Sequence, residues 1–174
     1  SPTQAHVLTL GDSPDSSGCA SLPELGEQRM RNLTQFVNRV LEPVELVILL
    51  TALGGGSGSG AAPDMARQAK RRGALVLSIA ALPFDAQPSR RLVAEEACTK
   101  LEKYSDVCVR LSLDRLAWQA RERGVDWRLG AAWVEELVEG LVATISKIGL
   151  INLDLMDLRS IVQKEGRSTL LVAE

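Results

Sequence analysis

The residues best suited to chemistry form a glycine-rich loop between an apolar run and an amphipathic segment. The loop has the sequence GGGSGSG (Gly54, Gly55, Gly56, Ser57, Gly58, Ser59, Gly60) and continues as Ala-Ala-Pro. Glycine permits positive φ and lets backbone N–H groups approach an anion without interference from a Cβ. The helix predicted after the loop adds unpaired amides and a positive dipole end, and the two serines add hydroxyl donors. The loop therefore predicts a binding site for the phosphates of a di- or triphosphate.

Two other interpretations of this loop stay open from the residues alone. GGGSGSG is also the composition of a flexible linker, although a linker rarely lies between a buried apolar strand and a helix that starts with proline. A structural turn that binds no ligand is the other. The loop is not a Walker loop, because no Lys-Ser or Lys-Thr pair follows the glycines.

A second candidate cluster follows the longest helical pattern and comprises Asn152, Asp154 and Asp157. Two neighbouring carboxylates can polarise water and hold Mg²⁺-bound phosphate oxygens for in-line attack. The alternative is that Asp154 caps a helix and Asp157 lies on its solvated first turn.

Composition restricts the class of protein. A chain of 174 residues fits one domain, and a net charge of −2 gives no electrostatic footprint for nucleic acid or an anionic membrane. No apolar run reaches the roughly 18 residues that insertion into a membrane needs. The three cysteines, Cys19, Cys98 and Cys108, are too few and too scattered for a disulfide framework or a zinc site. They are expected to be reduced thiols in a cytoplasmic protein without a metal ligand set.

Short apolar runs alternate with amphipathic segments. The predicted strands are His6–Leu10, Val44–Leu53, Ala74–Leu82 and Val107–Leu111, and the second of them is expected to be covered on both faces. The predicted helices are Glu27–Leu41, Ala61–Arg72 with Pro63 in its first turn, Ser89–Lys103, Asp114–Arg123, Asp126–Lys147 and Asp154–Lys164. This alternation predicts a three-layer α/β domain with a mainly parallel sheet and ligands at the carboxyl ends of the strands.

Four motifs in chain order resemble the tubulin/FtsZ superfamily. GGGSGSGAAP resembles the family's signature loop, which in FtsZ usually has Thr where Ser57 and Ser59 stand. Leu82-Pro83-Phe84 resembles K-P-F after the next strand, and Gly18–Gly26 (GCASLPELG) resembles the shorter phosphate loop GAGANPEVG. Residues 150–159 (LINLDLMDLR) resemble GLMNVDFADVR, the loop that completes a neighbouring subunit's active site.

The resemblance implies a Rossmann-like nucleotide-binding domain over residues 1–174, without the family's first strand and glycine loop and without its C-terminal domain. It implies a protein that binds GTP or GDP with Mg²⁺, polymerises head to tail with itself or a related FtsZ, and acts in cell division or membrane constriction. Hydrolysis would use Asn152, Asp154 and Asp157 at the subunit interface. The implied nucleotide contacts are Gly18, Cys19, Ala20, Ser21, Gly54 to Gly60, Arg91 and Trp127.

Departures from the family pattern support an alternative. A Glu that contacts the ribose is replaced by Gln87, an Asn near the base by Leu113, and the Asp that pairs with guanine by Ala132. Alanine accepts neither of the two hydrogen bonds by which a carboxylate recognises guanine. The alternative is a degenerate FtsZ-like structural or regulatory protein that does not hydrolyse GTP and binds little or no nucleotide.

Overall fold

Helices and strands alternate along the computed structural model, which describes residues 10, 18–42, 44–124, 126 and 139. In chain order the elements are α1 (Pro23–Asn32), α2 (Thr34–Leu41), β1 (Leu46–Ala52), α3 (Gly56–Arg71), β2 (Leu75–Leu82), α4 (Pro88–Tyr104), β3 (Val107–Ser112) and α5 (Leu113–Glu122). The chain divides into two compact units, Ser1–Arg110 and Leu111–Glu174. Within the described ranges, no helix has the length and apolar content that crossing a membrane requires.

The described sheet has the order β1-β2-β3. β1 and β2 pair in parallel, with Leu46 opposite Leu75 and Ala52 opposite Ala81, which confirms the predicted parallel sheet. The central strand β2 is buried along most of its length. β1 is covered less fully than its apolar run predicts, because Leu50 is 43% exposed. Side chains alternate between the two faces of a strand, and Val47 is buried on the face opposite Leu50.

The predicted helix Glu27–Leu41 is two helices. α1 begins earlier, at Pro23, whose fixed φ suits the first position of a helix. It ends before Leu33, which has φ −89° and ψ 4°, and α2 begins at Thr34. Apolar residues on both helices (Met30, Val37 and Leu41) still reach the core, so the predicted apolar stripe survives the break.

α3 begins at Gly56, whereas the sequence predicts a start at Ala61 with Pro63 in the first turn. Pro63 therefore lies inside the helix, where it has no N–H to donate and its ring faces the carbonyl of the residue four positions earlier. Glycines in the early turns disfavour helix formation, and here close packing overrides that tendency. A Cβ at Gly60 would lie 1.9 Å from the carbonyl oxygen of Pro23, and one at Gly56 would lie 2.6 Å from that of Cys19. The glycines thus allow α3 to pack backbone to backbone against α1 and the segment before it.

A buried carboxylate joins the same two helices. Asp64 on α3 is almost fully buried, and its oxygens accept hydrogen bonds from Arg67 and from Gln68 Nε2 at 2.7 Å. Arg31 of α1 lies 3.7 Å away. A buried charge needs such partners, so the pair α1–α3 is set by polar contacts as well as by small residues.

Candidate functional site

The glycine loop connects the carboxyl end of β1 to the first turn of α3. Gly54 has φ +97°, and a Cβ there would lie 2.9 Å from the carbonyl oxygen of Arg90, so only glycine fits. Gly55 is extended and precedes the first helical residue. The N–H of Gly54 donates to Ser59 Oγ at 2.8 Å and closes the loop. The loop is therefore a defined turn at the edge of the sheet where parallel α/β folds bind ligands, and it is not a flexible linker.

The second predicted segment, Gly18 to Ser21, is a tight turn before α1. Gly18, Ala20 and Ser21 have φ of +47°, +45° and +60°. A left-handed conformation costs a non-glycine residue about 1–2 kcal/mol and concentrates at ligand sites. Arg29 holds the turn, because its Nη1 donates to the carbonyl oxygen of Gly18 at 2.6 Å and to that of Leu10 at 3.1 Å. Sequence reasoning did not single out Arg29, since only the fold brings it to this turn.

The fold brings the two segments together. A Cβ at Gly18 would lie 3.5 Å from Ser57 Oγ, and one at Gly56 would lie 2.6 Å from the backbone N of Leu22. The first turns of α1 and α3 are therefore adjacent, and neither helix has a side-chain hydrogen bond at its N-cap. The first amides of a helix have no intrahelical acceptor, and each N-terminus carries a partial positive charge. Two such ends at one place give a positive electrostatic environment that suits an anion.

Arg90 adds a full positive charge beside the loop. Its Nε donates to the carbonyl oxygen of Gly54 at 3.2 Å, and a Cβ at Gly55 would lie 3.7 Å from its Nη2. The residue predicted from the family resemblance, Arg91, forms ion pairs with Asp85 and with Glu95, the latter at 3.7 Å. Adjacent side chains on a helix point about 100° apart, so the two arginines of this basic pair contact different parts of the protein surface. The sequence contains the pair but does not show which member approaches the loop.

The two serines of the loop occupy different positions. Ser59 is buried, and its oxygen already accepts the hydrogen bond from Gly54, which leaves its proton as a donor. Ser57 is partly exposed on the first turn of α3, on the side of Gly18. Gly58 faces β1, where a Cβ would lie 2.0 Å from the carbonyl oxygen of Ala52. A valine at Gly58 would therefore disturb the packing of α3 on β1 before it tested any anion site.

Several predicted residues are not described by the structure or belong to other elements. Trp127, Asn152, Asp154 and Asp157 lie outside the described residues, as does Ala132. Leu113 is the first residue of α5, in the second unit. Gln87 is exposed at the N-cap of α4 and makes no side-chain cap there.

A cavity of about 530 Å³ lies at the other end of α3 from the glycine loop. It is lined by residues of α1, α2 and α3 and by the residue after α3: Arg31, Thr34, Asn38, Arg67, Gln68, Arg71 and Arg72. Asp64 binds Arg67, Glu27 binds Arg31, and Asn38 accepts from Arg72 at 3.2 Å. These contacts pair Arg31 and Arg67 with carboxylates within the fold, and the cavity is separate from the candidate site.

The fold and the site define a Rossmann-like α/β domain with its candidate site at the carboxyl edge of a parallel sheet. The model of the tubulin/FtsZ family GTPase domain matches residues 3–119. Cell division protein FtsZ 1 of Pyrococcus furiosus is 31% identical over 160 residues, which cover 90% of this chain and 43% of that protein. FtsZ 1 of Archaeoglobus fulgidus is 32% identical over 152 residues, covering 86% and 41%.

Solved structures agree with the family match. A structure described as an empty FtsZ dimer from M. jannaschii superposes with a TM-score of 0.72 at 28% identity, covering 84% of this chain and 44% of that one. CetZ from Methanosaeta thermophila shares the fold, with a TM-score of 0.64 at 20% identity over 83% of this chain and 41% of that one. The chain belongs to the tubulin/FtsZ family, as its motifs predicted. It spans about two fifths of the length of the curated relatives it matches.

Proposed function

We propose that this chain binds GTP and GDP, with the phosphates at the junction of Gly18–Ser21 and Gly54–Gly60. We further propose that it assembles head to tail, with itself or a related FtsZ, into cytoplasmic filaments that act in cell division or membrane constriction. The observation that carries the proposal is the meeting of two uncapped helix N-termini beside a glycine loop and a strained turn.

The residues of the junction fit a nucleotide phosphate chain. The first amides of α3 and the hydroxyl of Ser57 donate to phosphate oxygens, and Arg90 supplies a cation beside Gly55. Gly55 keeps the surface open, since any Cβ there would narrow the approach between the loop and Arg90. Mg²⁺ bound with the nucleotide would neutralise part of the phosphate charge.

Hydrolysis is proposed to occur between subunits. Asn152, Asp154 and Asp157 of one subunit would reach the γ-phosphate bound by the next. One carboxylate would orient a water and accept its proton as the oxygen attacks phosphorus and the bond to the β-phosphate breaks. The resemblance of residues 150–159 to the family's catalytic loop supports these roles.

A second candidate function is that of a nucleotide-free FtsZ-like structural or regulatory protein. One observation favours it: Gly56, Gly58 and Gly60 are each required by backbone packing, so three of the loop's glycines are explained without any ligand. Gln87, Leu113 and Ala132, which replace the family's ribose and base contacts, point the same way.

Calorimetric titration with GTP, ATP and inorganic tripolyphosphate in Mg²⁺ buffer separates the two candidates. GTP-selective binding supports the first function and requires that guanine be recognised despite Ala132. Equal binding of all three ligands supports a phosphate site without base recognition. If a folded sample binds none of them, the phosphate site is refuted for this chain and the nucleotide-free function is favoured.

A further inference from the structure

Two of the three cysteines meet a glutamate at the far end of α4 from Arg90. Cys98 and Glu102 are four residues apart on α4 and share one face of that helix. Cys108 is the second residue of β3, which follows α4 after a turn of two residues. The Sγ atoms of both cysteines and a carboxylate oxygen of Glu102 all lie within 4.8 Å of one another. Sequence spacing predicted no metal site, because only the return of the chain at Ser105 and Asp106 brings Cys108 to α4.

We propose that Cys98, Glu102 and Cys108 bind a divalent metal ion of the zinc type, with water as the fourth ligand. In a tetrahedral zinc site the bonds are about 2.3 Å to sulfur and about 2.0–2.2 Å to oxygen. With these bond lengths, two sulfur ligands lie about 3.8 Å from each other, and a sulfur and an oxygen ligand lie about 3.5 Å from each other. The separation between Cys98 Sγ and Glu102 Oε1 is 3.9 Å. The other two separations are within 4.8 Å, so side-chain rotations that shorten them would bring all three ligands to bonding distance.

The types of ligand select the metal. Two thiolates with one carboxylate favour zinc or a similar borderline-soft ion, whereas Mg²⁺ and Ca²⁺ prefer sites made wholly of oxygen. Cys98 is fully buried, Cys108 is half-buried and Glu102 is exposed. The cluster is thus closed on the protein side and open to solvent at Glu102, where an ion can enter and the water ligand can reside.

Arg110 orients the carboxylate of this cluster. Its Nε donates to Glu102 Oε1 at 2.8 Å, and its Nη1 donates to Glu95 Oε2 at 2.9 Å. The oxygen that accepts from Arg110 is also the one 3.9 Å from Cys98 Sγ, and since a carboxylate oxygen has two lone pairs, Oε1 can accept from Arg110 and still bind a metal. Hydrogen bonds of this kind hold metal-binding carboxylates in place and tune their affinity. The guanidinium also offsets part of the negative charge of two thiolates and a carboxylate.

Without a metal, the two thiols interact with each other. A hydrogen bond between them raises the pKa of Cys98 and lowers the pKa of Cys108. A bound ion would displace the protons of both thiols and link α4 to β3 across the turn. This link lies within the first unit and does not depend on whether the glycine loop binds a nucleotide.

Metal titration of the reduced, chelator-treated 174-residue chain tests the proposal. Zn²⁺ should bind with one ion per chain by calorimetry, and Co²⁺ should give a sulfur-to-cobalt charge-transfer absorption. Cys108→Ser should abolish that absorption, and Glu102→Gln should lower the affinity by at least about tenfold. Cys98 is buried, so Cys98→Ser is a poorer test because it can disturb the core.

A matched control separates the site from general effects. Glu96→Gln removes an exposed carboxylate from the same helix and should bind metal like the wild type. Circular dichroism checks that each variant is folded. Absence of stoichiometric binding by the folded, reduced wild type overturns the proposal, as does full binding by Cys108→Ser. A disulfide that forms in air between Cys98 and Cys108, in a chain that binds no metal when reduced, would identify a redox pair instead.

Discussion

A carboxylate placed at Ser57 should affect folding and phosphate binding in opposite directions. Ser57 is the second residue of α3, after an N-cap glycine that makes no side-chain cap. An acidic side chain there interacts favourably with the helix dipole, by about 0.3–1 kcal/mol. Gly18, the neighbour of Ser57, has no Cβ, so the longer aspartate has room. The variant Ser57→Asp should therefore fold at least as stably as the wild type.

The same charge should repel a bound phosphate. At a separation of about 5 Å, two unit charges interact with about 0.8 kcal/mol in bulk water and about 3 kcal/mol at an effective dielectric constant near 20. Because a nucleotide brings more than one phosphate charge to the junction, Ser57→Asp should weaken binding by at least about tenfold, which corresponds to 1.4 kcal/mol.

Gln35→Asp is the matched control. Gln35 is exposed at the second position of α2, so the substitution adds the same charge to an equivalent helix position. α2 meets the C-terminal end of α3, where Asn38 accepts a hydrogen bond from Arg72. This control should gain a similar amount of stability and lose no nucleotide affinity.

Urea unfolding followed by circular dichroism measures the stability of both variants, and calorimetric titration with GTP measures their affinity. If Ser57→Asp is folded and binds as tightly as a wild type that itself binds GTP, the phosphates do not lie at the N-terminus of α3. If it is less stable than the wild type while Gln35→Asp is not, the carboxylate is desolvated at the junction and the dipole argument is wrong for this site.

Three further predictions use paired or single substitutions. Gly60→Ala should destabilise the fold by about 1–3 kcal/mol in urea unfolding, since its Cβ would lie 1.9 Å from a carbonyl oxygen. Gly55→Ala should be as stable as the wild type and only weaken phosphate binding. Equal stability of the two variants would contradict the packing argument. Arg90→Ala should lower GTP affinity more than Arg91→Ala, because Arg90 contacts the loop and Arg91 is paired with acidic side chains. If a calorimetric titration gives the reverse order, Arg91 is the nucleotide contact, as the family resemblance implies. Asp154→Ala should abolish phosphate release from GTP while leaving nucleotide affinity largely intact; loss of affinity would make Asp154 a residue of the fold.

The sequence by itself determined the alternation of helices and strands over the described residues, the parallel sheet and the position of the glycine loop. The predicted strand His6–Leu10 and the predicted helices Asp126–Lys147 and Asp154–Lys164 fall almost wholly outside the described residues and stay predictions. These features depend on local patterns: apolar runs predict buried strands, helical periodicity predicts amphipathic helices, and a glycine cluster interrupts both. Four motifs in chain order, at Gly18–Gly26, Gly54–Pro63, Leu82–Phe84 and residues 150–159, identified the family, which the comparisons confirm.

The tertiary structure decided where α3 begins, which arginine approaches the loop and which cysteines meet. α3 starts at Gly56 because the backbone of Cys19 and Pro23 packs closely against Gly56 and Gly60. Helix propensity alone would place the start later, after the glycines. Arg90 and Arg91 are adjacent and of the same type, so the sequence does not distinguish them. On α4 their side chains point about 100° apart, and only that of Arg90 contacts the loop. Cys98 and Cys108 are brought together by the return of the chain from α4 into β3. The start of α3, the position of Arg90 and the meeting of the two cysteines all depend on contacts between different segments of the folded chain. Composition and periodicity describe only the local sequence and do not predict those contacts.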